Sequence, residues 1–183
     1  MKKILLTTAA IIAIPVLASA QTSTGSAMAN SSAASGASTL NAQDRTFIHK
    51  AAIAGLAEVN DGKLAESQGN DSVKQIGMRM VTDHTQANTQ LTTLSSDLGD
   101  PAPSTTDATH QQMSASLQKL SGSSFDSKYL HEQLLAHEQA VTLFKTEASD
   151  GSNPRLKSFA SSTLPTLEMH LSMIKSALKS TNT

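Results

Sequence analysis

VKQIGMRMVTDHTQANTQL, residues 73–91, is the stretch from which the fold can be read. Val73, Ile76 with Gly77, Met80, Ala87 and Leu91 recur at steps of three and four, the period of a helix with one face in a core. The middle of that face is His84, an imidazole where the spacing calls for a hydrocarbon. The same arrangement returns three times along the chain. Phe47, Ala51, Ala54, Glu58 and Ala65 form one line, with Glu58 on it. Leu130, Leu134, His137, Val141 and Phe144 form another, with His137 central. Ala160, Thr163, Leu167, His170, Ile174 and Ala177 form the last, with His170 central.

Punctuation between these lines sets the helix ends. Asn41 is an N-cap with Asp44 in the first turn, and Gly69 closes a helix that runs to about Gln68. Asn70 or Asp71 starts the next, which ends near Leu98 before Gly99. GDPAPSTT, residues 99–106, reads as a loop. A short helix follows from Asp107 to about Leu120, with Met113, Leu117 and Leu120 on one side, until Ser121-Gly122-Ser123-Ser124 breaks it. The third long helix spans about Phe125 to Ala148, and the fourth runs from Pro154 to about Lys179. Pro165 lies inside the fourth, where it predicts a kink, with a complete break as the alternative. Short connections inside each pair imply antiparallel neighbours. The longer middle connection, with its short helix, can cap one end or cross over. The expected fold is all-α: an antiparallel four-helix bundle over residues 41–183.

The four polar interruptions fall at similar heights, since a helix rises about 1.5 Å per residue. Glu58 and His84 lie within about one turn of each other, measured from the turn that joins their helices. His84 and His137 agree as closely, and His170 is off by about 7 Å, which the kink at Pro165 can absorb. Two readings follow. In one, Glu58 and the imidazoles form a closed polar network that fixes helix register. In the other, Glu58, His84, His137 and His170 converge on one transition-metal ion; their count and type suit Zn²⁺, Fe or Mn and allow Cu.

Other candidates carry less. His131 and Glu138 share a polar line with Ser127, Thr142 and Lys145 and read as solvated; His49 and His110 read as surface residues near helix starts. Asp83 reads as solvent-facing, with a contact behind a ligating imidazole as its alternative. Glu66 reads as exposed. Met78, Met80, Met113, Met169 and Met173 are soft enough to ligate Cu(I), but methionine is more commonly core filler. No nucleophile motif, phosphate loop or dinucleotide fingerprint is present.

The N-terminus predicts an address. Lys2 and Lys3 precede an apolar run from Ile4 to Leu17, and Ala18-Ser19-Ala20 then offers a small-x-small cleavage site. That order is a secretory signal peptide over 1–20, with an apolar stretch short for a membrane span. No later segment approaches the length of a transmembrane helix, and without cysteine there is neither a lipid anchor nor a disulfide. Residues 21–40, uncharged and rich in Ser, Ala, Thr and Gly, read as a disordered leader. Cleavage removes two of the 14 basic side chains and none of the 15 acidic ones, and no basic run remains, which argues against nucleic acid as a partner. With four Phe, one Tyr and no Trp, the core must come from Ala, Leu, Ile, Val and Met.

GLAEVNDGKLAES (55–67), VKQIGMRMVTDHTQANTQL (73–91), FDSKYLHEQLLAHEQAVTLF (125–144) and LPTLEMHL (164–171) resemble the bacterial domain-of-unknown-function family 4142 over about residues 44–178. The resemblance implies an exported or outer-membrane protein grouped with ferritin-like folds, and a bundle able to hold metal. It puts the family's Glu at Glu58, its Asp-His pair at Asp83-His84, and its further histidines at His137 and His170. The chain departs from di-iron sites of that fold: no Glu-x-x-His motif falls at these positions, and one Glu with three His is carboxylate-poor for two irons. One metal ion or none is the expectation.

The leading functional expectation is therefore an exported envelope protein in periplasm, outer membrane or medium, binding one metal ion in metal handling or stress tolerance. The others are a metal-free structural or interaction protein and, last for want of carboxylates, a metal-dependent oxidoreductase. Mass spectrometry of the exported form checks the address: the mature chain is expected to begin at Gln21, and a mass that retains Met1–Ala20 would refute it.

Overall fold

The computed structural model describes residues 40–181. The expected signal peptide, and the leader up to residue 39, lie outside them. Five helices follow in order: α1 Ala42–Gln68, α2 Asp71–Asp97, α3 Ala108–Leu117, α4 Gly122–Asp150 and α5 Pro154–Thr181. No strand occurs among the described residues, so the fold is all-helical.

Local chemistry explains the ends. The Asn41 side chain accepts from the Asp44 N–H while Asp44 accepts from the Asn41 N–H, a closed capping box. Asn70 and Asp107 cap α2 and α3 through their side chains. One start differs from expectation, and the alternative of a break in the last helix is not realised. α4 starts three residues before Phe125, because Gly122 takes φ 56° and turns the chain into the helix rather than breaking it. α5 runs unbroken through Pro165. Ser161, whose carbonyl would have accepted the missing N–H, lies with Pro165 on the exposed face, where water can replace the bond.

Contacts give the helix directions. Gly62 abuts Gly77 and Gly55 abuts Asn88, so α1 and α2 run antiparallel. Lys145 pairs with Glu168 and Glu138 with Lys175, so α4 and α5 do too. Phe47 meets Phe144 while Glu58 faces His137, which makes α1 and α4 antiparallel. Asp97 meets Arg155 while Asp83 meets His170, which makes α2 and α5 antiparallel. Since α2 and α4 both oppose α1, they run the same way. The connection through α3 therefore crosses the length of the molecule, packing against α1 and α4.

Each hairpin is lashed to the other by one buried carboxylate. Asp126, in the first turns of α4, accepts from the N–H of Asn70 at 3.1 Å and from its side-chain amide at 2.9 Å, holding the α1–α2 turn. Asp44, in the first turn of α1, accepts from the N–H groups of Ser152 and Asn153 and from the Ser152 hydroxyl, holding the α4–α5 turn. Burial alone would raise the pKa of Asp44, but these hydrogen bonds and that from Asn41 outweigh it and hold it below the usual range. Glu147 is fully buried beside it, and burial, together with the Asp44 carboxylate, pushes it up to about 7.

The core has two apolar halves. One is built on Phe47, Leu91, Phe144, Leu156, Phe159 and Leu167, with Leu40 half-buried against it. The other contains Ala65, Met80, Leu117, Phe125, Tyr129 and Ile174. Within α4, Leu130, His137, Val141 and Phe144 of the expected line are buried, while Gln133 is buried in place of Leu134, which is only half so. Met113, expected on the inner side of α3, is exposed, and Leu117 alone of that helix is buried. The α1–α2 pair is close because of Gly62 and Gly77. A Cβ on Gly77 would lie 2.6 Å from the Gly62 carbonyl oxygen and 2.8 Å from the Ala65 Cβ.

Two outcomes follow for stability. Intrinsic propensity favours Ala over Gly in a helix by about 1 kcal/mol, but Gly77→Ala is expected to destabilise by about 1–3 kcal/mol in chemical denaturation, because backbone and not a flexible side chain stands in the way. A carboxyl with a raised folded pKa binds its proton more tightly when folded, so it costs nothing below its unfolded value and most above its folded one. Glu147→Gln should therefore melt progressively higher than wild type from about pH 4.5 to 7, with the difference level above pH 7. A pH-independent difference would refute that role.

Candidate metal centre

Between the two apolar halves lies a polar layer with at least one residue from each long helix: Glu58 of α1, His84 of α2, Gln133 and His137 of α4, and His170 of α5. All five are buried, with His137 at 1% exposure and His170 at 0%. Each helix passes from one core half to the other at this height, so the layer is where the polar interruptions of the four stripes meet.

Three of the four residues expected to converge do so. One ring nitrogen from each of His84, His137 and His170 lies within 4.8 Å of the others. The ring centroids are 5.6, 5.3 and 5.3 Å apart. Glu58 is not part of this set. Its Oε1 is 4.0 Å from Nδ1 of His137, the nitrogen on the other side of that ring from the His170 contact, and its carboxyl hydrogen-bonds to the Gln133 side chain.

The partners of each ring fix its protons. His137 Nδ1–H donates to the Gln133 carbonyl at 3.0 Å, and a carbonyl can only accept. His170 Nε2–H donates to Asp83 Oδ2 at 2.9 Å. Neutral rings in these tautomers present bare lone pairs at His137 Nε2 and His170 Nδ1, which stand 3.3 Å apart. Two lone pairs cannot hydrogen-bond to each other; an extra proton or a cation must lie between them. His84 Nε2 is buried and has no partner within the protein.

Electrostatics disfavours the proton. Burial lowers His84 well below the usual histidine value, helped by the other two imidazoles. Burial likewise brings His137 down to about 4, with His170 adding to the shift. His170 is lowered by burial despite the opposing pull of Asp83. All three are thus neutral near pH 7, the state a metal needs. Glu58 is pushed up to about 8 by burial, only partly offset by Gln133, so it is a neutral acid at pH 7.

Asp83 extends the site outwards. It orients His170 and is itself paired with Arg79 on the surface, the carboxylate–imidazole arrangement that commonly backs a metal-ligating histidine. Its alternative sequence reading, a contact behind an imidazole, is the one realised. Gln133 is the member of the layer that sequence reasoning misses. Its only signal is its place four residues before His137, where its carbonyl is in reach of that ring. His131 and Glu138 are exposed, as are His49 and Glu66. Met78 and Met113 are exposed as well, away from the buried layer.

A cavity of about 30 Å³ adjoins the layer, with Glu58, His84 and His137 along its wall and Phe144 and Phe159 among its other lining residues.

Comparison with known proteins places the fold. A crystal structure of a DUF305 fragment from Deinococcus radiodurans superposes with a TM-score of 0.66 at 13% identity, covering 76% of this chain and 97% of that one. At that identity the likeness is one of fold. None of the curated proteins matches the chain. The family described as Domain of unknown function (DUF4142) matches residues 29–177. The four sequence blocks quoted above fall within that match, each on a long helix, and the chain belongs to this family.

Proposed function

We propose that the chain is an exported envelope protein whose histidine layer holds one transition-metal ion. The observation that carries this reading is the 3.3 Å approach of His137 Nε2 to His170 Nδ1, two nitrogens whose lone pairs have no donor between them. Zinc–nitrogen bonds of about 2.0–2.1 Å at tetrahedral angles put neighbouring nitrogens about 3.3–3.4 Å apart. His84 supplies the third nitrogen from a third helix. Three imidazoles suit Zn²⁺ and Cu, and leave a tetrahedral ion one position short of four. Glu58 is then a neighbouring acid and not a ligand, and Asp83 holds His170 in the tautomer that leaves Nδ1 free.

The same reading takes the four long helices as a four-helix bundle of ferritin-like type. Its support is the helix order: two antiparallel hairpins joined by one long crossover connection, the arrangement of ferritin-like bundles. Export rests on the basic start, apolar run and Ala-x-Ala site of residues 1–20.

Melting curves with and without metal test the site. A hundredfold excess over the dissociation constant stabilises by about 2.7 kcal/mol, which in a domain of this size raises Tm by about 5–10 °C. The rise is expected to vanish in His84→Ala, His137→Ala and His170→Ala and to survive in Glu58→Gln and His131→Ala. Asp83→Asn should weaken metal affinity by about 10- to 100-fold. Protons compete where the folded imidazoles titrate, all below the usual histidine value, so the rise should weaken as the pH falls and be lost by about pH 4, where His137 titrates. No shift with Zn²⁺, Cu²⁺, Mn²⁺ or Fe²⁺ in chelator-treated wild type would sink the metal reading and leave the layer a structural one.

A further inference from the structure

The cavity beside the histidine layer has a form of its own. It lies between that layer and the cluster of Phe47, Phe144 and Phe159, whose rings stand 5.0 to 6.2 Å apart. Small residues on three helices keep it open: Ala51 and Gly55 on α1, Ala87 on α2, Ala136 and Ala140 on α4. Larger side chains at these positions would close it.

Its size and chemistry restrict an occupant. At about 30 Å³ the cavity is small, with room for a molecule of few heavy atoms. The walls are mostly hydrocarbon, and an unpaired charge there would be costly. Polarity is concentrated at one end. Glu58 Oε2 and His84 Nε2 are both buried without a protein partner, and both residues line the cavity. Of the other polar lining residues, the Thr163 hydroxyl spends its hydrogen on the Phe159 carbonyl, and Asn88 stands beside Gly55. A water needs two to four polar partners, and beside the phenylalanines Thr163 offers only its oxygen. The fit is to a short molecule with a lone pair at the histidine end and little need for hydrogen bonds at the other.

We propose that this cavity is a binding pocket for a small uncharged ligand of few heavy atoms, seated at the coordination position that the three imidazoles leave open. The inference rests on the metal reading above and adds to it the class of molecule that the site admits. Dioxygen and nitric oxide fit this size and lone-pair chemistry.

The test uses the chain from Gln21 onwards, loaded with Co²⁺, whose visible spectrum reports its ligands. Nitric oxide and dioxygen are titrated in separate arms. At least one is expected to change the cobalt spectrum at one equivalent per metal. Ala140→Leu, which fills the cavity, should weaken that ligand by about tenfold or more while cobalt stays bound; Ala87→Leu serves if the first variant folds poorly. Xenon, followed by the methyl resonances of Ala87 and Ala140 in metal-free protein, examines the pocket without the metal. Cobalt bound but unresponsive to both ligands would overturn the proposal, as would equal responses in the filled variants or no xenon shift at those methyls. Failure of cobalt to bind, with xenon shifts present, would overturn the metal reading instead, and with it the seating of the ligand.

Discussion

Two imidazole nitrogens, His137 Nε2 and His170 Nδ1, face each other at 3.3 Å with their lone pairs, because each ring has committed its only proton to an acceptor on its far side. Neither acceptor can be exchanged cheaply. The Gln133 carbonyl is part of the helix that carries His137, and Asp83 is one residue from His84 on the helix that supplies the third imidazole. The tautomers are thus set by backbone and helix register, and the bare nitrogens follow. Every long helix must pass through this layer to join the two apolar halves of the core. The layer therefore constrains the rotation of all four: moving any helix by one residue would turn its polar member out of the layer.

The ends of the molecule hold that registration. Asp44 and Asp126 sit in the opening turns of α1 and α4, and each closes on the turn of the opposite hairpin with charge-assisted hydrogen bonds to backbone N–H groups. They fix the hairpins lengthwise, while Gly62 and Gly77 fix how closely α1 and α2 approach. Propensity at the two glycines is given up for contact across the pair, and the glycine carbonyls come within reach of the facing helix. Apolar burial alone is non-directional and would tolerate a slide of one hairpin along the other. The buried carboxylates do not, since a slide leaves them without donors in a dry environment.

Much of this is legible in the sequence. Asn41, Gly69, Asn70, Asp107 and Pro154 mark helix boundaries by chemistry that needs no tertiary context. Spacing alone places Glu58, His84, His137 and His170 on inner faces, and counting residues from the turns places them at one height. Counting cannot give azimuth, however. It does not tell that Glu58 meets the His137 ring from the side of Nδ1, away from the cluster, nor that Gln133 is buried on α4 where Leu134 is only half so. Rotation of a helix by one position depends on the shapes packed against it. Asp83 shows the same limit: it lies about 100° from His84 around the axis of α2, and only the neighbouring α5 brings a partner to it. Glu147 and Asp126 carry no sequence signal, since their burial comes from a turn and a hairpin distant along the chain.

The remaining question is which of two purposes such a layer serves, and its unmet valences bear on it. A polar layer kept only for register gains by closure, because every satisfied hydrogen bond raises the cost of the wrong pairing, and a half-satisfied network is worse than hydrocarbon. This layer is not closed. Glu58 Oε2, His84 Nε2 and Gln133 Oε1 are all buried with no partner in the protein, and two further nitrogens oppose each other. Substituting Leu or Met at any of these positions would remove the cost at a stroke. The proposed metal reading accounts for these groups together: a cation shared by the three imidazoles would use their lone pairs, Asp83 holds one ring in the tautomer that such a cation needs, and the small residues beside the layer leave room for a ligand to it.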